Sequence, residues 1–159
     1  MKGNDKFINV LNDLLADELT AISQYMVQSE ICDGWGFEKL HKAIEHTAKE
    51  EMHHAESLIQ RILFLEGLPV VSNLKTIKIG KSVIDMLKND QESEVSAIRA
   101  YNQAIHLSQE GKDQSTAVLL TEILKMEEEH ADWAEMQRTQ IEMMGIQNYL
   151  ANQTASAGS

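Results

Sequence analysis

Two segments of the sequence, EEMHHAE (residues 50–56) and MEEEHAD (residues 126–132), share a Glu-x-x-His motif. The motif consists of Glu51 and His54 in the first segment and of Glu127 and His130 in the second. Residues three apart lie on the same face of an α-helix, so each motif presents a carboxylate and an imidazole together. The first segment also carries Met52, whose place in the second segment is taken by an acidic residue. The repeat therefore explains the Glu-x-x-His motif but not this methionine.

The repeat includes a second pair of acidic residues. Glu18 begins the phrase ELTAISQY and Glu94 begins EVSAIRAY. In each case 33 residues separate this glutamate from the glutamate of the following Glu-x-x-His motif. Both glutamates lie within apolar stripes of helical periodicity, formed by Leu11, Leu14, Leu15, Ile22 and Tyr25 and by Val83, Ile84, Leu87, Ile98, Tyr101 and Ile105. An ionised carboxylate in such surroundings is unfavourable unless something compensates its charge.

Glycine and proline divide the chain into long segments with helical periodicity. We predict helices at about 5–33, 38–66, 82–111 and 114–144, a short fifth helix at 146–152, and a flexible tail at 153–159. Ser82 and Asp85 fit a capping box at the start of the third helix. No stretch of useful length alternates as a strand would. The sequence predicts an all-α four-helix bundle in a single domain of residues 1–159.

The connection between helices two and three is long. Its 14 residues, 67–80, can span at most roughly 46–50 Å. The second helix, as predicted, would be about 44 Å long, so the connection can run back along the whole bundle. Helices two and three are therefore predicted to be parallel, whereas the short links at 34–36 and 111–113 join antiparallel neighbours.

Composition excludes several classes of protein. The net charge is −11 and neither end is rich in Lys or Arg, which argues against a nucleic-acid partner. The single Cys32 excludes an internal disulfide and a Cys-x-x-C metal site. The N-terminus lacks the apolar core of a signal peptide, and no apolar run is long enough to span a membrane. We expect a cytoplasmic protein without a membrane partner.

The two halves of the chain together predict a dinuclear metal site. A pseudo-two-fold axis would bring four carboxylates and two imidazoles together inside the bundle, a pattern typical of di-iron and di-manganese carboxylate proteins. Two divalent ions would neutralise the four carboxylates. Oxygen and imidazole ligands without a thiolate favour iron or manganese. One Glu-x-x-His motif is usually an exposed helix face, but two copies at equal intervals favour the metal site.

The sequence resembles the bacterioferritin family over nearly its whole length. The resemblance rests on the MKG start, on RILFLEGLP (61–69) and GIQNYL (145–150), and on Glu18, Tyr25, Trp35, Glu51, Met52, His54, Glu94, Glu127 and His130. It implies a ferritin-like bundle that serves iron storage and detoxification. In this family, Fe²⁺ is oxidised to Fe³⁺ by O₂ or peroxide at an intrasubunit di-iron centre. The ferric mineral is stored inside a shell of 24 identical subunits, built from two-fold dimers.

The resemblance also implies roles for individual residues. Glu18 and His54 would hold one iron and Glu94 and His130 the other, while Glu51 and Glu127 would bridge the two ions. Tyr25 would be a redox-active phenol that donates a further electron, although a core tyrosine fits its position as well. His46 and Glu50 match the inner-surface iron site of the family, and they fit an ordinary exposed helix pair equally well.

Met52 lies about 100° around the helix from Glu51 and so faces away from the predicted metal site. In the family, the equivalent methionine is an axial ligand of haem b at the two-fold interface, with one sulfur from each subunit. A [2Fe–2S] ferredoxin is the partner that delivers electrons through this haem for iron release. The alternative is that Met52 only packs in the interface.

Several other functions share the bundle. One is a haem-free subunit of the same cage, and another is a non-storage di-iron oxidase or peroxidase. A rubrerythrin-like peroxidase needs a cysteine-rich iron domain, which one cysteine excludes. A DNA-sheathing mini-ferritin places its metal site between subunits, which the complete set of ligands in one chain disfavours. A non-catalytic or haem-carrying bundle would leave four buried acidic residues unexplained.

Overall fold

The computed structural model describes residues 2–156 and contains five α-helices in this range. They are α1 (Asp5–Gly34), α2 (Glu38–Phe64), α3 (Val83–Glu110), α4 (Gln114–Met144) and α5 (Ile146–Ala151). No strand occurs in the described part of the chain. The all-α, ferritin-like four-helix bundle with a short C-terminal helix is therefore confirmed. Met1 of the MKG start and residues 157–159 of the predicted tail lie outside the described residues.

Five helix ends differ from the predicted ones by one or two residues. The first helix ends at Gly34, one residue late, and the third ends at Glu110, one residue early. The second helix ends at Phe64 rather than at residue 66, because Glu66 adopts a φ of 62°, which is not helical. The third begins at Val83 because Ser82 is its N-cap, with Oγ accepting a hydrogen bond from Asp85 N at 3.1 Å. The short fifth helix ends at Ala151, one residue early.

The crossover between α2 and α3 runs along α1. Three side chains of α1 form hydrogen bonds with the backbone of the crossover. Asn12 donates to Leu68 O (3.1 Å) and accepts from Val70 N (2.7 Å). Thr20 accepts from Lys75 N (2.8 Å), and Gln24 accepts from Lys78 N (3.0 Å). Residue numbers increase together along α1 and the crossover, so the two segments run in the same direction. Because α2 is antiparallel to α1, the crossover returns the chain to the far end of the bundle, and α3 then runs parallel to α2.

The apolar core forms two clusters, one on each side of a polar layer. One cluster includes Leu11, Leu14, Leu15, Leu58, Ile62, Tyr101 and Leu120, and the other includes Tyr25, Leu40, Ile44, Val83, Leu87 and Tyr149. Along α1, Glu18 lies between the two clusters, and the acidic residues of the other long helices occupy the same level. Ile84 was predicted to line the stripe of the third helix but is exposed, because Val83 and Leu87 take the inward face.

None of the helices within residues 2–156 combines the length and the apolar character that crossing a lipid bilayer requires.

Candidate metal centre

Each long helix contributes to one buried cluster of carboxylates and imidazoles. The six predicted ligands form two overlapping groups, Glu18, Glu51, His54 and Glu127 in one and Glu51, Glu94, Glu127 and His130 in the other. Within each group the potential ligand atoms lie within 4.8 Å of one another. Because Glu51 and Glu127 belong to both groups, the arrangement offers two neighbouring metal positions with two shared carboxylates.

The two histidines face the carboxylates through the same ring atom. His54 Nδ1 lies 2.8 Å from Glu51 Oε2, 2.9 Å from Glu127 Oε1 and 3.6 Å from Glu18 Oε2. His130 Nδ1 lies 3.2 Å from Glu51 Oε1, 3.8 Å from Glu127 Oε2 and 3.9 Å from Glu94 Oε1. Each imidazole therefore meets both shared carboxylates and one glutamate of its own. The geometry repeats the pseudo-two-fold symmetry of the sequence.

Hydrogen bonds within the cluster leave some ligand atoms unsatisfied. Glu51 Oε1, Glu127 Oε1 and His130 Nδ1 are buried and have no hydrogen-bond partner among the described residues. They lie near other ligand atoms, but not in directions that form hydrogen bonds. Buried polar atoms are rarely left so unless an ion or water completes their surroundings. The donor set of carboxylate oxygens and imidazole nitrogens fits two divalent ions of the iron type.

Protonation compensates the charge of this cluster in the absence of metal. Burial and the carboxylate of Glu51 raise the pKa of both Glu18 and Glu94 well above their ordinary value. Burial opposes a charge on the imidazoles, but the surrounding carboxylates outweigh it and raise the pKa of His54 to about 12 and that of His130 to about 11. Burial likewise opposes ionisation of Glu127, yet both histidines hold its pKa below the ordinary range. These pKa shifts favour protons on Glu18, Glu94 and both histidines, where bound metal ions would otherwise compensate the negative charge.

Comparison with known proteins gives the family. The sequence profile of the Ferritin-like domain family matches residues 8–144. A bacterial ferritin of Synechocystis sp. is 40% identical over 154 residues, covering 96% of this chain and 99% of that protein. A bacterial ferritin of Paramagnetospirillum magnetotacticum is 41% identical over 152 residues, covering 94% and 93%. A bacterioferritin of Mycolicibacterium paratuberculosis is 37% identical over 154 residues, covering 95% of each chain.

The chain belongs to the ferritin family. Membership and the buried ligand cluster together support iron storage as its function, with ferroxidase-like oxidation of iron.

Two tyrosines hold the unshared glutamates of this ferritin. The Tyr25 hydroxyl donates to Glu94 Oε1, and the Tyr101 hydroxyl donates to Glu18 Oε1. Both phenols are buried, and each reaches the glutamate of the other half of the bundle. Sequence reasoning gave a functional role to Tyr25 but missed Tyr101. The signal was present, because each tyrosine follows its local glutamate by seven residues in ELTAISQY and EVSAIRAY.

The outer nitrogens of the two imidazoles have different partners. His130 Nε2 lies 2.9 Å from Glu50 Oε2, and His54 Nε2 lies 3.3 Å from Met126 Sδ. Glu50 also contacts His46, whose Nε2 lies 3.3 Å from Glu50 Oε1 and whose side chain is largely exposed. The predicted pair of His46 and Glu50 is therefore joined to the metal centre through His130. Sequence reasoning did not identify Met126.

Met52 lies outside the ligand cluster of the ferritin. Its side chain is 44% exposed, whereas that of the adjacent Glu51 is 1% exposed. The exposed Met26 is a further methionine of the same antiparallel helix pair, on α1. The two successive residues of the EEMHHAE segment thus face in different directions, Glu51 into the bundle and Met52 out of it.

A cavity of about 340 Å³ connects the ligands with the crossover. Its lining includes all four carboxylates of the cluster, namely Glu18, Glu51, Glu94 and Glu127. On the crossover side, Lys75 lines it and pairs with Asp17 at 2.6 Å and with Asp13 at 3.2 Å. The cavity therefore lies between the buried carboxylates and the crossover.

Proposed function

We propose that this ferritin is a ferroxidase that oxidises Fe²⁺ to Fe³⁺ with O₂ or peroxide at a dinuclear site inside each subunit. The ferric product is stored as mineral inside a cytoplasmic shell of 24 identical subunits built from two-fold dimers. The observation that carries the proposal is the pair of overlapping ligand groups, which come from one chain and share Glu51 and Glu127. A site complete within one chain needs no partner subunit for the chemistry.

Each ligand has a defined role in this proposal. Glu18 and His54 hold one Fe²⁺, Glu94 and His130 hold the other, and Glu51 and Glu127 bridge them. Two Fe²⁺ held side by side can each give one electron to the oxidant. The protein binds them by exchanging the protons on its glutamates and histidines for metal charge. Tyr101 and Tyr25 then orient the unshared carboxylates through their hydrogen bonds.

Removal of single ligands tests the ferroxidase. We expect Glu18→Ala, Glu94→Ala and His130→Ala to lose the fast phase of Fe²⁺ oxidation, because each leaves an incomplete site of much lower affinity. Stopped-flow absorbance with two Fe²⁺ added per chain measures the phase, and size-exclusion chromatography checks that the large shell still forms. His53→Ala is the control, since His53 is exposed and, within residues 2–156, forms an ion pair with Glu56 alone. An unchanged fast phase in all three ligand variants would remove the assignment.

Tyr25 is proposed to donate one further electron when O₂ is the oxidant: the two Fe²⁺ ions supply two electrons, Tyr25 a third, and a further Fe²⁺ the fourth that reduction of O₂ to water requires. Its hydroxyl is hydrogen-bonded to Glu94, a ligand of one metal position, so the path from phenol to metal is short. Burial and the carboxylate of Glu94 raise the pKa of Tyr25 well above its ordinary value, so the phenol keeps its proton until oxidation. The proton then has a carboxylate acceptor directly beside it.

Haem b is proposed to bind between two subunits, where the thioether of Met52 from each subunit would hold its iron. Support comes from a half-exposed thioether on the outward face of α2, on a residue that takes no part in the metal cluster. When bound, haem would supply electron transfer, carrying electrons from a [2Fe–2S] ferredoxin to the stored iron. A two-fold axis would bring two identical sulfurs to one group, so a single residue type provides both ligands.

His46 and Glu50 are proposed as an additional iron site toward the interior of the shell. The imidazole and the carboxylate lie 3.3 Å apart, and 73% of the His46 side chain is exposed, so a passing ion can reach it. Glu50 also contacts His130, which would give iron a continuous route between this pair and the dinuclear site.

A further inference from the structure

The two halves of the bundle differ at one pair of equivalent residues that touch the metal ligands. An interval of 76 residues relates Glu51 to Glu127 and His54 to His130. The same interval relates Glu50 to Met126. Glu50 contacts the outer nitrogen of His130, and Met126 contacts the outer nitrogen of His54. Equivalent residues thus make equivalent contacts, but one is a carboxylate and the other a thioether.

The orientation of the two imidazole rings decides which nitrogen can bind a metal ion and which nitrogen donates its proton to Glu50 or Met126. Nδ1 of each histidine faces the carboxylate cluster, so the Nδ1 lone pair is the one that can bind a metal ion. Nε2 must then carry the proton and act as a donor. His130 donates this proton to a carboxylate at 2.9 Å, whereas His54 donates it to sulfur at 3.3 Å.

These two acceptors affect a ligating imidazole differently. A carboxylate acceptor forms a charge-assisted hydrogen bond, fixes the ring and makes its other nitrogen a stronger electron donor. Thioether sulfur is only a weak, neutral acceptor. Glu50 also adds a negative charge close to one metal position, and Met126 adds none close to the other.

We propose that Glu50 and Met126 make the two metal positions unequal, so that the His130 position binds divalent ions tightly and the His54 position binds them weakly. The inference rests on the proposed dinuclear site and assigns Glu50 and Met126 as positioning residues for its histidines. The symmetry of the six ligands would otherwise give two positions of similar affinity. Loss of a hydrogen-bond partner of this kind typically changes metal affinity by about 10- to 100-fold.

Anaerobic titration with Co²⁺ measures the two positions separately. The metal-free full-length shell is used in a His46→Ala background, so that the exposed pair with Glu50 adds no third site. Visible d–d absorption and calorimetry then follow binding. We expect two classes of one Co²⁺ per chain each, with dissociation constants that differ by about tenfold or more.

Placing the side chain of Glu50 at position 126, or that of Met126 at position 50, gives two matched variants. Met126→Glu should tighten the weak class about tenfold and merge it with the tight class, because His54 gains a carboxylate. Glu50→Met should weaken the tight class by a similar factor. Met126→Leu keeps the apolar volume without sulfur, so it should leave the tight class at the His130 position unchanged and should not tighten the weak class. If Met126→Glu does not fold, Glu50→Met at a partly exposed position still tests the proposal.

The outcomes separate this inference from the proposed function. Two equal classes in the parent protein, or two classes that neither exchange alters, would overturn the inequality but leave the dinuclear ferroxidase in place. Failure to bind two Co²⁺ per chain with the ligands intact would overturn the dinuclear site, and the inference with it.

Discussion

The α1–α2 half and the α3–α4 half of the bundle are alike in their ligands and different around them. Each half contributes one glutamate and one Glu-x-x-His motif at the same interval. Around this shared set, the first half has Glu50 and Met52 where the second has Met126 and Glu128. Met126 touches a ligand, whereas Met52 is half-exposed and lies outside the cluster.

This difference shows which residues the buried site requires, namely the inward ligands, and which flanking residues can vary. Four clustered, buried carboxylates need compensation of their charge, and each half supplies the same inward residues to the cluster. One position after the inward glutamate, Met52 and Glu128 lie outside the cluster, and one position before it, Glu50 and Met126 touch only the outer nitrogens of the histidines. The halves are free to differ at these positions. Residues that flank Glu51 and Glu127 can therefore carry functions that the symmetrical core cannot.

The largest expected effect comes from changing the two neighbours Glu51 and Met52 separately. Glu51→Ala removes a carboxylate shared by both metal positions, so we expect loss of fast Fe²⁺ oxidation with haem binding retained. Met52→Leu keeps size and apolarity but removes the thioether, so we expect loss of haem absorbance with oxidation retained. The visible spectrum after haem reconstitution and stopped-flow oxidation are measured for both variants.

The second half provides a matched control for this experiment. Glu128 is equivalent to Met52 and exposed, so Glu128→Met places a thioether at the corresponding position. We expect no additional haem in Glu128→Met, and no recovery of haem when it is combined with Met52→Leu. Wild-type haem binding by Met52→Leu would show that Met52 only packs in an interface.

The next largest effect concerns the pH dependence of the metal-free protein. Glu18 and Glu94 have raised pKa values, so their protons stabilise the folded state at low pH, and this contribution is lost as the pH rises above about 4.3. The raised pKa values of His54 and His130, about 12 and about 11, act in the same direction above their ordinary value of about 6.5. Stability should therefore fall between pH 6.5 and 9, by at most about 1.4 kcal/mol per pH unit for each histidine.

Metal should reverse this dependence. Bound divalent ions replace the protons, so binding strengthens as the pH rises. Denaturant unfolding of the metal-free shell and of the same shell with Mn²⁺, at several pH values, gives the two slopes. Equal slopes with and without Mn²⁺ would mean that the clustered groups do not exchange protons for metal.

A smaller effect distinguishes the two equivalent tyrosines. Tyr25→Phe and Tyr101→Phe each remove one hydrogen bond to an unshared glutamate, and we expect each to weaken Co²⁺ binding by about tenfold, as for a hydrogen bond to a charged group. If Tyr25 alone donates an electron, a tyrosyl radical should appear by electron paramagnetic resonance in the wild type and in Tyr101→Phe but not in Tyr25→Phe. An identical radical signal in both variants would contradict the redox role of Tyr25.

The sequence was sufficient for the bundle and for the six inward residues because both follow from periodicity. Glu18, Glu51 and His54 recur at fixed intervals in the second half, and equal intervals on amphipathic helices imply equal depth in the bundle. The crossover was predictable from its length alone. Each of these features depends on distances along the chain, which the sequence states directly.

Contacts between helices were not predictable in the same way. The hydrogen bond from Tyr101 to Glu18 and the contact of Met126 with His54 join residues from different halves. Helical periodicity gives the face on which a residue lies but not the side chain that meets it from another helix. The early end of α2 depends on the left-handed backbone of Glu66, which no strong local motif announces.

The smallest expected effects compare the two kinds of connection, the crossover and the short link. A Cβ added at Gly80, near the end of the crossover, would lie 2.4 Å from Met86 N and 2.8 Å from Met86 Cα, both backbone atoms that cannot move independently. Gly80→Ala should therefore destabilise the metal-free protein by about 1–3 kcal/mol. Gly34 ends α1 beside the short link, and a Cβ there meets nothing within 4 Å. Gly34→Ala should instead stabilise by about 0.4–1 kcal/mol, because alanine restricts the unfolded chain without strain. Denaturant unfolding measures the free energy of unfolding of both variants. If both variants change it in the same direction, close packing at Gly80 does not explain the difference between the two glycines.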